Sequence, residues 1–419
     1  MLQRKVIIVC NLQIFLLQSY QQERSTNMDV RSFETLASLP IPLRLTQCVV
    51  HKHEILICGG AYEKDCYSYH ILKNEYKYIC SYPDGVELNG HCVMKYVHNN
   101  NSNAITLLSF GGEGKYMEKH TLVMNYVSVW DDNGKEGLMN IAKTNRCNEW
   151  IPFTNKANKP IYIGREQDEY RGARAVISGS NNHLLFITSF PNNIDVFDLN
   201  TLQFLKQDIV PSEPDNWTKY HCFLSKTDNE LSTIKTNKRI YELLLFCKNT
   251  GLLIQYNEES NTFQFHKLRV CTNIKPLYSY GYIYIKDFVL FFGGDGYEIC
   301  DSKEVHKYLT TENKWAKFEH TLPISLTDCV VILSEDSKYI HIIGGCSGTK
   351  TVATHFKAKV SEWMKEETEA EKEWMLEENE KKEIEEIKRE LEEIEEDLDS
   401  KKLKVKLKVF NYYFCDNIL

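Results

Sequence analysis

Paired cysteine spacings are absent from the 419-residue sequence, although it holds 14 cysteines. No two of them form a CxxC arrangement, which argues against zinc ribbons and small disulfide-bonded scaffolds. Most stand singly inside short apolar runs such as QCVV, HCVM and DCVV. Because a free cysteine behaves as a small hydrophobic side chain, we expect buried thiols in a reducing compartment, and therefore a cytoplasmic protein.

A basic surface and a membrane-spanning segment are also lacking. Residues 361–400 carry a net charge of −13 and residues 401–419 of +4, so residues 1–360 carry +1 of the total of −8. A nearly neutral body has no basic stripe that would bind nucleic acid. The apolar stretch within residues 1–30 is interrupted by Asn11 and Gln13 and is too short to cross a bilayer. We expect residues 1–30 to be an extension, either disordered or weakly similar to a signal peptide, and we expect no binding to nucleic acid or membranes.

Proline is scarce, with 10 residues, whereas aromatic residues make up 12% of the chain, which favours many short strands. Glycine pairs end four apolar runs, ILICGG, LLSFGG, VLFFGG and IHIIGG. These repeat glycines are Gly59, Gly60, Gly111, Gly112, Gly293, Gly294, Gly344 and Gly345. A third strand and a polar turn follow, and then a fourth strand that begins near an aromatic residue. The repeat aromatics are Trp150, Phe204, Phe263 and Trp315.

Six units with this order of strands can be traced, two of which lack the glycines. The double glycine, the aromatic residue after the turn and the closing Leu-Pro resemble the kelch repeat family, whose period is about 50 residues. The resemblance covers residues 31–363 and implies an all-β fold, a six-bladed kelch β-propeller of four-stranded antiparallel blades. A seventh blade hidden in an insertion is left open. Residues 32–40 look like an orphan fourth strand that would close the last blade.

The glycine pairs are interpreted as architecture. In the family such a pair ends the second strand of a blade, where the chain turns tightly and the next blade packs close. The functional alternative is a phosphate-binding loop. No GK[ST] follows any of the pairs, so the sequence does not favour that alternative.

Equivalent cysteines and several histidines raise the question of a metal site. Four cysteines occupy the first strand of four units, Cys48, Cys92, Cys222 and Cys329, and the histidines of interest are His51, His53, His91 and His221. Galactose oxidase is a kelch-fold enzyme, but no stretch here matches its copper ligands, which include a tyrosine cross-linked to cysteine. Small residues suit a crowded inner strand equally well. We therefore predict no metal, no cofactor and no catalytic residue.

Loops on one face are the usual binding surface of a propeller. The candidate contact residues in such loops are Tyr62, Tyr116, Arg165, Tyr170, Arg171 and Tyr297. Tyrosine and arginine dominate interface energetics, although each of these residues could equally be an ordinary solvated side chain. We predict a non-enzymatic platform or scaffold for protein partners. The alternative is a galactose-oxidase-like enzyme or a small-molecule binder that uses the same face.

Residues 364–400 are rich in Glu and Lys and contain no Gly or Pro, which predicts a charged helix. Apolar residues recur three and four apart over little more than two heptads, a short coiled-coil pattern that comprises Ile384, Ile387, Leu391, Ile394 and Leu398. Two interpretations remain open: a solvated arm held by Glu–Lys pairs, or a seam for weak self-association or for a partner. In the tail, residues 401–419, Lys alternates with apolar residues, so we expect a strand or loose chain.

Overall fold

Six four-stranded antiparallel sheets dominate the computed structural model, which describes residues 33–96, 104–130, 147–213, 216–226, 239–296 and 301–415. Around most of the ring the first strands of neighbouring sheets contact one another, so they surround a central channel. The fold is therefore a six-bladed β-propeller, as predicted, and these described ranges hold no seventh blade. The predicted extension, residues 1–30, lies outside them.

The blades follow one another along the chain. Blade 1 contains β2 (Gln47–His51), β3 (Glu54–Gly60), β4 (Glu63–His70) and β5 (Glu75–Ser81). Blade 2 contains β6 (Cys92–Tyr96), β7 (Ala104–Phe110), β8 (Thr121–Val127) and β9 (Ile151–Pro152). Blade 3 contains β10 (Glu169–Ser178), β11 (Leu184–Phe190), β12 (Asn193–Asp198) and β13 (Gln203–Ile209).

The second half of the ring repeats this order. Blade 4 contains β14 (Cys222–Ser225), β15 (Ile240–Cys247), β16 (Thr250–Asn257) and β17 (Thr262–Leu268). Blade 5 contains β19 (Gly281–Ile285), β20 (Phe288–Phe292), β22 (Val305–Leu309) and β23 (Lys314–Lys317). Blade 6 contains β24 (Val330–Leu333), β25 (Tyr339–Ile343), β28 (His355–Lys359) and β1 (Glu34–Thr35). Two small two-stranded sheets pair β18 (Leu277–Tyr278) with β21 (Asp295–Gly296), and β26 (Cys346–Ser347) with β27 (Lys350–Thr351).

The ring closes by a pairing of distant parts of the chain. Strand β1, from the N-terminal side, pairs antiparallel with β28 and supplies the outer strand of blade 6. Leu36 N donates to His355 O (2.9 Å), and Lys357 Nζ lies 2.9 Å from a carboxylate oxygen of Glu34. This closure leaves no open sheet between the first and the last blade.

Burial differs between the inner and outer strands of a blade. Every residue of β3 and of β20 is buried, because each of these strands lies between two neighbouring blades and needs apolar side chains on both faces. In the outer strand β13, exposed and half-buried residues alternate. The continuous apolar runs in the sequence therefore mark the middle of a blade, and the alternating runs mark its rim.

The glycine pairs lie where consecutive blades approach each other. Gly293 (φ +64°) and Gly344 (φ +62°) have left-handed backbone conformations. A Cβ atom on Gly293 would overlap the carbonyl oxygen of Leu326, and one on Gly344 would overlap that of Leu43. Leu326 and Leu43 each belong to the connection that leads into the following blade. A side chain at either glycine would thus push two blades apart.

The tryptophans after the turns join one blade to the preceding blade. Trp150 stacks on Tyr82 with 4.6 Å between ring centroids, and its Nε1 donates to the Cys66 sulfur at 3.4 Å. Trp315 Nε1 donates to the carbonyl oxygen of Arg269 at 2.8 Å. Phe263 likewise contacts the preceding blade, through Phe186 of blade 3, and it also contacts Tyr256 of its own blade. Phe204 differs, since its ring contacts Phe197 of its own blade.

A single long helix, α1 (Glu369–Cys415), follows a 3-10 turn at Val360–Met364 and lies along β23. Thr368 and Glu371 form a capping box: Glu371 N donates to Thr368 Oγ1 (3.3 Å), and Thr368 N donates to a carboxylate oxygen of Glu371 (3.1 Å). The helix therefore begins at Glu369 rather than at residue 364. It also continues through residues 401–415, where Lys and Leu support helix and no Gly or Pro interrupts it. Within the described residues, no helix is both long and apolar enough to cross a membrane.

Candidate interaction face

One face of the ring carries both the turns after the second strands and the connections between blades. These two kinds of loop are hydrogen-bonded to each other, since Ala61 N donates to Arg44 O (2.9 Å) and Gly294 N donates to Leu326 O (2.8 Å). We call this surface the loop face. It comprises the described parts of residues 36–46, 82–91, 153–168, 210–221, 269–280 and 318–329, with the turns after β3, β7, β11, β15, β20 and β25.

Six residues with left-handed backbone surround the mouth of the channel on the loop face. They are Leu45, Gly90, Gly172, Tyr220, Ser279 and Asp328, with φ between +51° and +69°, one where the chain enters each blade. Backbone N–H groups donate around this collar: Leu45 to Asp328 O (2.9 Å), Asp328 to Ser279 O (2.8 Å), Ser279 to Tyr220 O (3.3 Å), Tyr220 to Gly172 O (2.9 Å) and Gly172 to Asn89 O (3.1 Å). Since each bond joins two blades, the collar holds the loop face in one geometry.

Tyr220 narrows the channel mouth. A Cβ atom on Gly90 or Gly172 would come within 2.8 Å or 2.7 Å of the Tyr220 ring, so two collar glycines provide the room for this side chain. The Tyr220 hydroxyl donates to Asn89 Oδ1 at 2.8 Å. Burial raises the pKa of the Tyr220 hydroxyl, which therefore stays protonated and keeps this bond at neutral pH. The ring covers the part of the mouth formed by blades 2 and 3.

The channel itself contains a cavity of about 120 Å³ lined by charged and aromatic side chains, among them Arg174, Tyr282 and Asp328. Arg44 Nη1 lies 3.5 Å from Asp328 Oδ2. Burial raises the pKa of the Asp328 carboxyl, whereas hydrogen bonding and the charges of Arg44 and Arg174 act in the opposite direction. Arg174 Nη1 donates to the carbonyl of Ala173 at 3.0 Å.

Three of the six predicted contact residues lie accessible on the loop face. Tyr62, in the turn after β3, has 76% of its surface exposed, and Tyr116, after β7, has 69%. The Arg44 guanidinium lies 5.9 Å from the centre of the Tyr62 ring. Arg171 is 40% exposed at its side chain and forms an ion pair with Glu87 at 3.3 Å. These residues belong to blades 1, 2 and 3.

The predicted role of Tyr170 as an exposed contact is wrong. Its side chain is fully buried in β10, because strand alternation turns Tyr170 inward and Arg171 outward. Arg165 is held in place rather than free for a partner: its Nη2 lies 2.9 Å from Asp195 Oδ1, and its guanidinium lies 4.2 Å from the centre of the Phe204 ring. Tyr297 lies outside the described residues.

Sequence reasoning missed Trp217, which is 55% exposed on the same face. It lies between the turns of blades 3 and 4, since the Cys247 thiol donates to its carbonyl at 3.3 Å and its ring meets Phe190 edge-on at 5.4 Å. The sequence does contain a signal for this exposed residue, because a tryptophan stands inside the polar connection VPSEPDNWTKY. Apolar rings in such a segment have no strand to pack against.

Near the turn after β7, a serine contacts a histidine, which in turn contacts a carboxylate. Ser109 Oγ lies 3.1 Å from His120 Nε2, and His120 Nδ1 contacts Glu113 Oε1. This order matches a nucleophile, its base and an orienting acid. However, Ser109 is fully buried and already accepts a hydrogen bond from the Tyr82 hydroxyl (2.9 Å). A substrate cannot reach this hydroxyl, so the network holds the turn.

Two of the histidines considered for a metal site have hydrogen-bond partners within the propeller. His91 Nε2 lies 2.9 Å from Cys58 O, and His221 Nε2 lies 2.6 Å from Thr188 Oγ1. Burial lowers the pKa of His91 to about 3 and raises the pKa of the Cys92 thiol to about 12. Among the residues that the structure describes, no three His, Cys, Asp or Glu side chains are grouped to hold a metal ion.

Comparison by sequence gives no match to a family model and none to a curated protein. Comparison by structure does give matches, 825 chains in total. One is the solved structure of YjhT, at 14% sequence identity and a TM-score of 0.50, covering 76% of this chain and 95% of that chain. At this identity, and with so many chains alike, the similarity supports the propeller fold and does not specify a function.

Proposed function

We propose that the protein is a non-enzymatic scaffold whose loop face binds a protein partner. The observation that carries this proposal is the display of large, exposed aromatic side chains on the loop face, Tyr62 and Tyr116 in turns and Trp217 in a connection between blades. Tyr and Trp offer a large contact area at a small cost in side-chain entropy, and they are enriched among the residues that dominate binding energy.

The rigidity of the loop face supports the same proposal. The collar fixes the connections between blades by main-chain hydrogen bonds, and the turns are bonded to those connections. A surface that is already ordered loses less conformational entropy when a partner binds. The face is thus suited to hold a partner rather than to close around a substrate.

We further propose that this is a divergent kelch-type propeller that works in the cytoplasm. Its four glycine pairs and its tryptophans lie at equivalent positions of the blades, which supports the kelch assignment. The eleven cysteines between Cys48 and Cys346 whose side chains the structure describes are free thiols, which supports a reducing compartment.

The test is affinity capture with the intact chain and a variant carrying Tyr62→Ala, Tyr116→Ala and Trp217→Ala. All three side chains are more than half exposed, so the fold should persist. The matched control is Leu72→Ala, because Leu72 is 72% exposed in the turn between β4 and β5, on the opposite face. We expect quantitative mass spectrometry to show a captured protein that the triple variant loses and the control keeps. Equal capture by all three proteins contradicts the proposal.

A small-molecule binder is the second candidate, because the channel cavity contains the Arg174 guanidinium. The cavity of about 120 Å³ holds roughly four water molecules at about 30 Å³ each, whereas ligand pockets usually reach about 300 Å³ or more. The small volume of the channel cavity therefore favours binding on the rim of the loop face over binding in the channel. Stoichiometric copper in the purified protein would instead favour the enzyme alternative.

A further inference from the structure

Helix α1 presents an apolar stripe to solvent. Ile384, Ile387, Leu391 and Ile394 have between 53% and 57% of their surfaces exposed. They recur three and four apart, as in the seam of a coiled coil. Four large aliphatic side chains in one row are more than the scattered apolar residues of an ordinary surface.

The propeller holds the opposite side of the same helix. Arg269 contacts Glu378 at 2.8 Å and Glu385 at 2.7 Å, and Lys275 contacts Glu385 at 2.7 Å. At about 100° per residue, the stripe lies roughly 200° around the helix from Glu378 and Glu385. The helix cannot turn its stripe onto the propeller without breaking these ion pairs, one of which involves Glu378, only 3% exposed.

Charge along the helix points to what covers the stripe. Residues 384–396 carry a net charge of −5, whereas residues 397–408 carry +3. A parallel pair of these helices would set acid against acid and base against base. An antiparallel pair centred near residue 396 sets each acidic half against the basic half of the other helix.

We propose that the occupant is a second copy of this chain, whose helix α1 pairs antiparallel with the first along this stripe. The two-fold axis passes near residue 396, so the stripe of each copy lies against the basic segment, residues 397–408, of the other copy. From Glu385 the helix continues for about 30 residues, or roughly 45 Å, to its end at Cys415, which leaves a length sufficient for the overlap. Each propeller lies on the side of its own helix away from the stripe, so the two propellers do not compete for space.

Analytical ultracentrifugation of the full chain tests the pairing. We expect a concentration-dependent dimer at micromolar concentration, and Ile387→Asp to raise its Kd by at least about tenfold, equivalent to about 1.4 kcal/mol. The matched control is Leu376→Asp, since Leu376 is 69% exposed on the same helix but lies outside the overlap. A strict monomer overturns the proposal, and so does a dimer that Ile387→Asp leaves unchanged.

The salt dependence of the dimer tests whether the two helices pair antiparallel or parallel. Opposite charges attract in the antiparallel dimer, so raising NaCl from about 50 to about 500 mM should weaken it. Screening would instead strengthen a parallel dimer, because its like charges repel. A dimer that tightens with salt therefore refutes the antiparallel arrangement. Each measurement uses the full-length protein or its single variant. Circular dichroism shows whether a variant has lost its fold.

Discussion

Two glycines with the same backbone conformation but different surroundings allow the spacing between blades to be tested. Gly344 has φ +62° and Gly348 has φ +61°. An alanine in this left-handed region costs about 1–2 kcal/mol at either position. A Cβ atom on Gly348 would have no heavy atom within 4 Å, whereas one on Gly344 would overlap the Leu43 carbonyl oxygen. The pair therefore separates backbone strain from close packing.

The extra cost at Gly344 comes from backbone that cannot easily move. Leu43 is fully buried where the chain enters blade 1, and its carbonyl accepts a hydrogen bond from Gly345 N at 2.8 Å. Displacing it sacrifices about 1 kcal/mol of hydrogen bonding and adds about 1–3 kcal/mol of overpacking. We expect Gly344→Ala to lower the free energy of unfolding by about 3–6 kcal/mol, and Gly348→Ala by about 1–2 kcal/mol.

Urea unfolding followed by tryptophan fluorescence measures this difference, since Trp315 and Trp363 are buried and report on blades 5 and 6. Equal shifts of the midpoint for the two alanine variants would refute the reasoning. That result would mean that the junction of blades 6 and 1 relaxes around an added methyl group, and that the glycine pair is needed only for its backbone conformation.

Two further predictions concern buried titratable side chains, namely the histidines of blade 6 and Glu378 of helix α1. Burial lowers the pKa of His341 to about 4, and it also lowers the pKa of His355. In the unfolded chain the pKa of histidine is about 6.5, so between about pH 4 and 6.5 the unfolded chain binds more protons than the folded protein. Stability should fall as pH drops from about 6.5 to about 4, by up to about 3 kcal/mol for His341, and a urea midpoint that does not change with pH would contradict this. Replacing Arg269 by alanine leaves the buried Glu378 without that partner. Backbone amides near Glu378 should then exchange hydrogen at least about tenfold faster, while the amides of the blades stay protected. The control is Lys314→Ala, which removes only the exposed ion pair between Lys314 and Glu312.

The propeller could be predicted because its repeats are caused by local sterics. Gly344 and its equivalents mark the close approach of two backbones, and Trp315 marks the contact with the preceding blade. In blades 3 and 4, which lack glycine pairs, the runs LLFITSF and YELLLFC still identify the buried second strand. Each signal reflects a contact that recurs in several blades of the ring.

Individual side chains on the loop face were harder to predict. Tyr170 and Arg171 are adjacent, and only the starting point of β10 decides which of them faces the core. The docking of helix α1 depends on Arg269, more than 100 residues before Glu378 and Glu385, and no local pattern links residues at that separation. The sequence therefore predicts the helix itself but not the surface that holds it.

The collar supports the proposal that a partner binds on the rim of the loop face rather than in the channel. Gly90 and Gly172 leave room for the Tyr220 ring, which narrows the mouth, and the cavity within the channel has only about 120 Å³. Tyr62 lies in a turn and Trp217 in the connection between blades 3 and 4, and both side chains are more than half exposed. In the proposed scaffold, the repeats determine the ring, whereas exposed side chains of the loop face would determine the choice of partner.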